Sequence, residues 1–297
     1  MADLRPMEFG EVLDGAISLF RRHFGLFFKL SLSIMWLPIA VALYWRLRFF
    51  NFAGAQTPDQ AIAALQGQIV PVVIWGVVFL IVYECGILLL TAGSIRVISD
   101  SLLGREPQFG EALALGASKI VPLFLVGFGK WLLLALVAIV SLFGVVLVGA
   151  AGKVAGAGMA ALLVLLGTVG MFWILGFIAC GYMVTTPVVV LETLTSVFDA
   201  FGRSWDLTRG VKLRFLGLWV VAVLIAGVLP QLVVQAVGAL VLELIPGAQT
   251  AWSVVPSIVS VMLTPIVPCI LTMAYYDRRV RREGFDLQIL SEQLGVG

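Results

Sequence analysis

Residues 69–95 read IVPVVIWGVVFLIVYECGILLLTAGSI, an apolar run with a single charged side chain, Glu84, near its middle. A bilayer-spanning helix needs about 20 predominantly apolar residues. This run exceeds that length and reads as a transmembrane helix. Hydropathy places five more around it. The first runs from about Phe24 to Trp45, with polar Asn51 to Gln68 following it. The third lies between Ile120 and Ala150; Pro122, Gly127, Gly129 and Lys130 leave its start open between Ile120 and Trp131. The others are Met159 to Val190, Phe215 to Leu242 and Ala251 to Tyr275. Several are longer than a bilayer is thick, so they tilt, kink or protrude. Composition agrees, because 61% of the 297 residues are hydrophobic and 12% are charged, whereas a soluble domain is about half apolar and a quarter charged. The expected fold is an all-α integral membrane protein with six transmembrane helices, one membrane domain over residues 1–297. A separate soluble domain, and with it most enzymes, is excluded.

The few charges fix a topology. Fourteen Lys and Arg fall on one side of the expected spans and only Arg46, Arg48 and Lys153 on the other, with Lys29 and Lys130 left inside the apolar runs. The positive-inside rule then puts both termini in the cytoplasm. Glu8, Glu11, Asp14, Arg21 and Arg22 precede the first apolar run. That is not the layout of a cleavable signal peptide, so the N-terminus is expected to be retained. A net charge of +2 gives no reason to expect nucleic acid. Cys85, Cys180 and Cys269 are odd in number, embedded in apolar runs and without metal-ligand spacing, so neither a disulfide framework nor a metal site is expected.

Helical periodicity appears outside the spans as well. Phe9, Val12, Leu13, Ala16, Ile17 and Phe20 share a face opposite Glu11, Asp14, Ser18 and Arg21. Phe109, Ala112, Leu113, Gly116, Ala117 and Ile120 repeat those offsets, and Phe-Gly-Glu opens both stretches. Leu194, Val197, Phe198, Phe201 and Trp205 form a third stripe, opposed by Asp199, Arg203 and Asp206. These read as interfacial amphipathic helices. Leu37-Pro38 recurs as Leu229-Pro230, and Glu84-Cys85-Gly86 matches Ala179-Cys180-Gly181. The chain therefore reads as a three-fold parallel pseudo-repeat of amphipathic helix plus two spans, over about 9–95, 109–190 and 194–276, followed by a cytoplasmic basic tail at 277–297.

Glu84 is the sharpest chemical signal. It lies about 18 Å along the helix from Arg96, close to the bilayer midplane, where a carboxylate costs at least about 2.5 kcal/mol on insertion scales. Lys29 and Lys130 are the available cations, and together the three form a candidate intramembrane charge cluster. One reading is a structural Glu84, ion-paired or protonated; the other is a role in moving protons or substrate. Prolines at 38, 71, 122, 187, 230, 256, 265 and 268 kink spans either as packing features or to open a site. Arg278, Arg279, Arg281 and Arg282 are candidate contacts for anionic lipid, or else determinants of topology alone. Arg203, Arg209, Lys212 and Arg214 admit the same two readings. His23, the only histidine, lies at an interface without a nucleophile and reads as an anchor. Catalytic constellations and cofactor motifs are missing, so neither enzyme activity nor a cofactor is expected.

Three blocks of residues resemble a known family. They are Leu4 to Met7 with Gly10 to Ala16 and Phe20 to Phe24; Pro187 to Glu192 with Ala200-Phe201, Arg203-Ser204-Trp205 and Leu207 to Gly210; and Tyr275 to Gly284. In this order they resemble the glycerophosphoryl diester phosphodiesterase membrane domain family, with a small departure at Val211-Lys212. Some members join this region to a soluble phosphodiesterase, whose paired histidines and acidic residues are missing here, so that activity does not carry over. Stand-alone members imply the bacterial plasma membrane. The expected function is a non-catalytic module organising membrane lipids or partner proteins, other membrane proteins or a homo-oligomer among them. The alternative is a transporter or lipid-handling carrier using Glu84.

Overall fold

A computed structural model describes residues 5–49, 68–248, 252, 254–285 and 287. Among these the secondary structure is helical, with no strand. Six helical stretches are long and apolar enough to cross a membrane: Phe24–Phe49, Ile69–Leu102, Phe109–Ala155, Ala157–Leu191, Lys212–Leu244 and Val255–Glu283. This is the architecture of a multi-pass membrane protein. Large apolar side chains stand outward along them, including Trp36, Ile139, Phe143 and Trp173, each at least 60% exposed. An exposed apolar surface of this kind marks contact with a membrane or with another protein.

Helix α1 (Phe9–Arg22) buries Val12, Ala16, Leu19 and Phe20 and leaves Asp14, Ser18, Arg21 and Arg22 exposed. It is separated from α2 (Phe24–Phe49) by His23 alone. Helix α3 is Ile69–Leu102. Helix α4, Phe109–Gly152, corrects the expectation of a separate interfacial helix ending near Ile120, because it continues unbroken into the third span. Pro122 removes only one helical hydrogen bond, and no left-handed residue interrupts the run. The fourth span divides into α5 (Ala157–Gly181) and α6 (Thr185–Leu191), with Pro187 in the first turn of α6, where it is tolerated.

Helix α7 is Asp199–Thr208. It buries Ala200, Ser204, Leu207 and Thr208, whereas Phe198 of the expected apolar stripe is 57% exposed and Phe201 and Trp205 are half-buried. The inward face is therefore the small and hydroxylated one. The fifth span comprises α8 (Lys212–Val223), a π-helical turn at Leu224–Val228 and α9 (Leu229–Leu244). The wide turn sits just before Pro230, which cannot donate a helical hydrogen bond. The sixth comprises α10 (Val255–Leu263) and α11 (Ile266–Glu283), so Asp277 to Glu283, expected as tail, extends the last helix. Residues 51–67, Ala251 and residues 288–297, covered by the expected loop, span start and tail, lie outside the described residues.

Contacts divide the chain into two compact units: Asp14–Ile120 with Val221–Ile270, and Asp3–Leu13, Val121–Val220 and Leu271–Gly297. In the first, α2 packs along α3. Trp45 Nε1 donates to the Val72 carbonyl at 3.2 Å, and the Tyr44 and Trp75 rings lie 4.8 Å apart. At the other end of the pair, His23 Nε2 is 3.0 Å from Ser101 Oγ. Nearby in sequence to Ser101, Arg96 holds Asp100 at 2.7 Å and Glu111 at 3.1 Å. A cavity of about 270 Å³ in this unit is lined by Pro38, Phe79, Tyr83, Gln231, Pro256, Ser257 and Ser260 among others. The second unit carries the larger cavity and most of the ion pairs.

Candidate functional site

The site is built where the fourth span ends and the fifth begins. Helix α7 is fastened across the end of α5 by Ser204 Oγ, which donates to the Gly181 carbonyl at 2.9 Å; Thr208 Oγ1 lies 3.2 Å from the same carbonyl, with the Ser204 carbonyl nearer at 2.9 Å. Trp205 then lies flat on Gly181, where any Cβ would overlap its ring. Gly210, with φ of +81°, turns the chain out of α7. That left-handed conformation suits glycine, and it lets α8 start two residues later. The turn brings Lys212 under two aromatic rings, its Nζ 3.1 Å from the centroid of Trp205 and 3.5 Å from that of Phe177.

The ammonium nitrogen is sealed from solvent and has no hydrogen-bond acceptor. A desolvated cation–π contact is worth about 2 kcal/mol, whereas removing an ion from water costs several kcal/mol even after relaxation. The rings therefore shelter this charge without neutralising it. Beside it lies a cavity of about 720 Å³, lined by Phe172, Trp173, Gly176, Phe177 and Cys180 of α5, Trp205 of α7, the Arg209–Val211 turn, and Lys212, Leu213, Arg214 and Leu216 of α8. Its wall is apolar and its charges are basic. Trp173 and Leu213 at its border are 67% and 72% exposed, so the cavity is continuous with outward apolar surface.

The same unit carries two charge lattices. Glu192, Arg203, Glu283, Arg279 and Tyr275 form a closed ring. Arg203 reaches Glu192 at 2.9 Å and Glu283 at 2.6 Å. Arg279 reaches Glu283 at 3.0 Å, its Nη1 donates to Tyr275 Oη at 3.4 Å, and Tyr275 Oη donates to Glu192 at 2.7 Å. Hydrogen bonding to Glu283, with that to Glu192 behind it, holds the Arg203 pKa above the ordinary guanidinium value against the opposing effect of burial. The second lattice surrounds Asp277, which is 2% exposed. Its carboxylate accepts from the Met7 N–H at 2.8 Å and pairs with Arg281 at 2.9 Å and Arg214 at 3.2 Å. Both arginines also donate to the Met7 carbonyl at 2.7 Å. Arg5 pairs with Glu11 beside this clamp. The Glu8 N–H, and then Arg5, hold the Glu11 carboxyl below its usual range.

The four arginines of α11 singled out from sequence have partners in the chain. Arg278 donates to the Leu207 carbonyl at 3.0 Å and Arg282 to that of Asp206. These are carbonyls of the last turn of α7; that of Asp206 also accepts from the Arg209 N–H at 3.3 Å. Arg279 and Arg281 belong to the two lattices. Arg281 and Arg282 remain exposed, whereas Arg278 and Arg279 are half-buried.

The three expected intramembrane charges are placed differently. Glu84 and Lys29 are exposed on their helices in the first unit, and Lys130 is half-buried in the second. Among the described residues no ion pair involves any of them. Tyr83, beside Glu84, lines the smaller cavity; Glu84 does not. No group of three or more His, Cys, Asp or Glu among the described residues can hold a metal ion. Cys180 and Cys269 are buried and Cys85 half-buried, all as free thiols.

Sequence reasoning grouped Lys212 with the collar of basic residues and did not single it out. Its signal was available: a lysine opening an apolar run, two residues after a glycine and seven after a tryptophan. Comparison of the chain with models of known families, with curated proteins and with solved structures finds no match.

Proposed function

We propose that this chain is a non-catalytic integral membrane protein that organises lipid in the bacterial plasma membrane, with the cavity beside Lys212 as its lipid seat. The observation that carries this reading is an apolar-walled cavity beside a buried ammonium without an acceptor. An amphiphile satisfies both features, since its chain occupies the wall and its polar end meets the charge. The basic segments assigned to the cytoplasm support the topology, because within the second unit Met7, the last turn of α7, the start of α8 and the end of α11 are joined by direct bonds. The resemblance to the glycerophosphoryl diester phosphodiesterase membrane domain rests in part on residues of the two charge lattices, including Glu192, Arg203, Tyr275, Asp277 and Arg279. In this reading α1 and α7 lie in the membrane interface, with each opening one pseudo-repeat.

The test is lipid analysis of the protein purified in gentle detergent, by mass spectrometry. A Cβ at Gly176 meets nothing within 4 Å, so Gly176→Phe adds its bulk to the cavity. Wild type is expected to retain lipid in near-stoichiometric amount and Gly176→Phe to lose it. Recovery of wild type as a lone protein, with neither enriched lipid nor partner, overturns the reading.

A second reading, transport, has the smaller cavity in its favour, because Tyr83, Gln231, Ser257 and Ser260 bring polar groups together between proline-kinked spans. Solute uptake into proteoliposomes that is abolished by Gln231→Leu would establish it. Uptake that survives Glu84→Gln would remove Glu84 from it.

A further inference from the structure

The lipid reading leaves the ligand's chemistry open, and the geometry around Lys212 narrows it. Three cationic side chains line the cavity. Arg214 is already committed to Asp277 and the Met7 carbonyl. Lys212 and Arg209 are not, since among the described residues Arg209 forms no ion pair and Lys212 Nζ has no acceptor. No carboxylate lines the cavity. Helix α8 also begins here. Its first intrahelical bonds are those of Arg214 and Phe215 to the Val211 carbonyl, at 3.0 and 3.2 Å. The preceding N–H groups, of Lys212 and Leu213, come before them and have no intrahelical acceptor. Two free cations and the positive end of a helix dipole thus face one apolar cavity, an arrangement that favours an anion.

Resting on the lipid reading, we infer that this cavity recognises the phosphate of an anionic phospholipid, with Lys212 as the deciding contact. The ammonium now rests on Trp205 and Phe177. Turning its terminal methylenes toward the cavity gives its three N–H donors acceptors on phosphate oxygens, and the rings remain as the wall it leaves. A phosphate diester has two unesterified oxygens, one for Lys212 and one for Arg209 and the first amides of α8. A zwitterionic lipid offers the same phosphate but carries its own cation, which competes with Lys212 and is repelled by Arg209. Charge-assisted bonds of this kind are about twice as strong as neutral ones.

The experiment is native mass spectrometry of the full chain in detergent, titrated with phosphatidylglycerol, with phosphatidylcholine and with inorganic phosphate, for wild type, Lys212→Met and Lys212→Arg. Wild type is expected to bind phosphatidylglycerol about tenfold more tightly than phosphatidylcholine, because the headgroup cation of the latter competes with Lys212 for the phosphate and is repelled by Arg209. Lys212→Met is expected to lose most of that preference while still holding both lipids, and Lys212→Arg to keep it. Inorganic phosphate is expected not to displace the lipid. Equal binding of the two lipids by wild type, or an unchanged preference in Lys212→Met, overturns this inference and leaves the lipid seat standing. Displacement by inorganic phosphate overturns it in favour of a free anion. Failure of wild type to bind either lipid overturns the lipid reading itself.

Discussion

Glu84, midway along the second span, stands exposed on its helix with no ion pair among the described residues. Lys212, at the first residue of the fifth, has its ammonium sealed beneath Trp205 and Phe177. The two positions invert what their surroundings in sequence suggest. A carboxylate deep in an apolar run looks costly and therefore purposeful, yet no ion pair receives it among the described residues. A lysine at the mouth of a run looks like a routine topology marker, yet a glycine-dependent turn, a stapled helix and a charge lattice are arranged around it. An isolated charge signals function when other residues are committed to its environment, and that commitment is three-dimensional.

The largest effect should come from breaking the lattice behind Lys212. Asp277→Ala leaves Arg214 and Arg281 without their carboxylate; breaking a fully buried pair costs about 3–5 kcal/mol, and the partial exposure of both arginines brings the loss to about 2–3 kcal/mol. Thermal unfolding in detergent should show a drop of that order, and unfolding like wild type would mean that the clamp on Met7 holds nothing together. Gly181→Leu comes next. Its side chain must displace Trp205, and overpacking costs about 1–3 kcal/mol. The same variant should lose bound lipid, because the ring that shelters Lys212 is no longer seated. Retention of lipid at the wild-type level would show that the ring and cavity are not linked.

Smaller effects belong to the first unit. Burial, with the charge of Arg22 adding to it, depresses the His23 pKa below its ordinary value. The neutral ring is thus the form the fold favours. Its contribution is fully present above the unfolded pKa of about 6.5 and is lost as pH falls through the lower folded value. Wild type should therefore lose slightly more thermal stability than His23→Gln between pH 7 and pH 5, and parallel losses would refute the assignment. Glu84→Gln should have the least effect on the lipid seat, with lipid retention unchanged and no loss of thermal stability, because it removes a mid-span carboxylate that no ion pair holds among the described residues. A large loss at Glu84 would reverse the comparison and give the second span a built site after all.

The six long apolar helices were legible from sequence, because a span needs only length and hydropathy, both of which are local. Their ends and breaks were less so. The stop at Gly181 and the uninterrupted passage through Ile120 depend on what packs against those residues. Of the expected stripe Leu194, Val197, Phe198, Phe201 and Trp205, only Phe201 and Trp205 fall within α7, both half-buried, and its buried face is Ala200, Ser204, Leu207 and Thr208, where Ser204 Oγ finds the Gly181 carbonyl. The lattices were illegible for a simple reason. Glu192 and Tyr275 lie 83 positions apart and Met7 and Asp277 lie 270 apart, and no periodicity links them. The four arginines of α11 look alike in sequence, yet two cap α7 and two hold carboxylates.

The most direct test of the central claim is a cryo-electron microscopy map of the chain in nanodiscs containing phosphatidylglycerol. The account predicts elongated density along Phe172, Gly176 and Leu213, ending in a phosphate within hydrogen-bonding distance of Lys212 Nζ, with the ammonium turned from the rings. An empty cavity, with Lys212 still resting on Trp205 and Phe177 in the presence of that lipid, would contradict it.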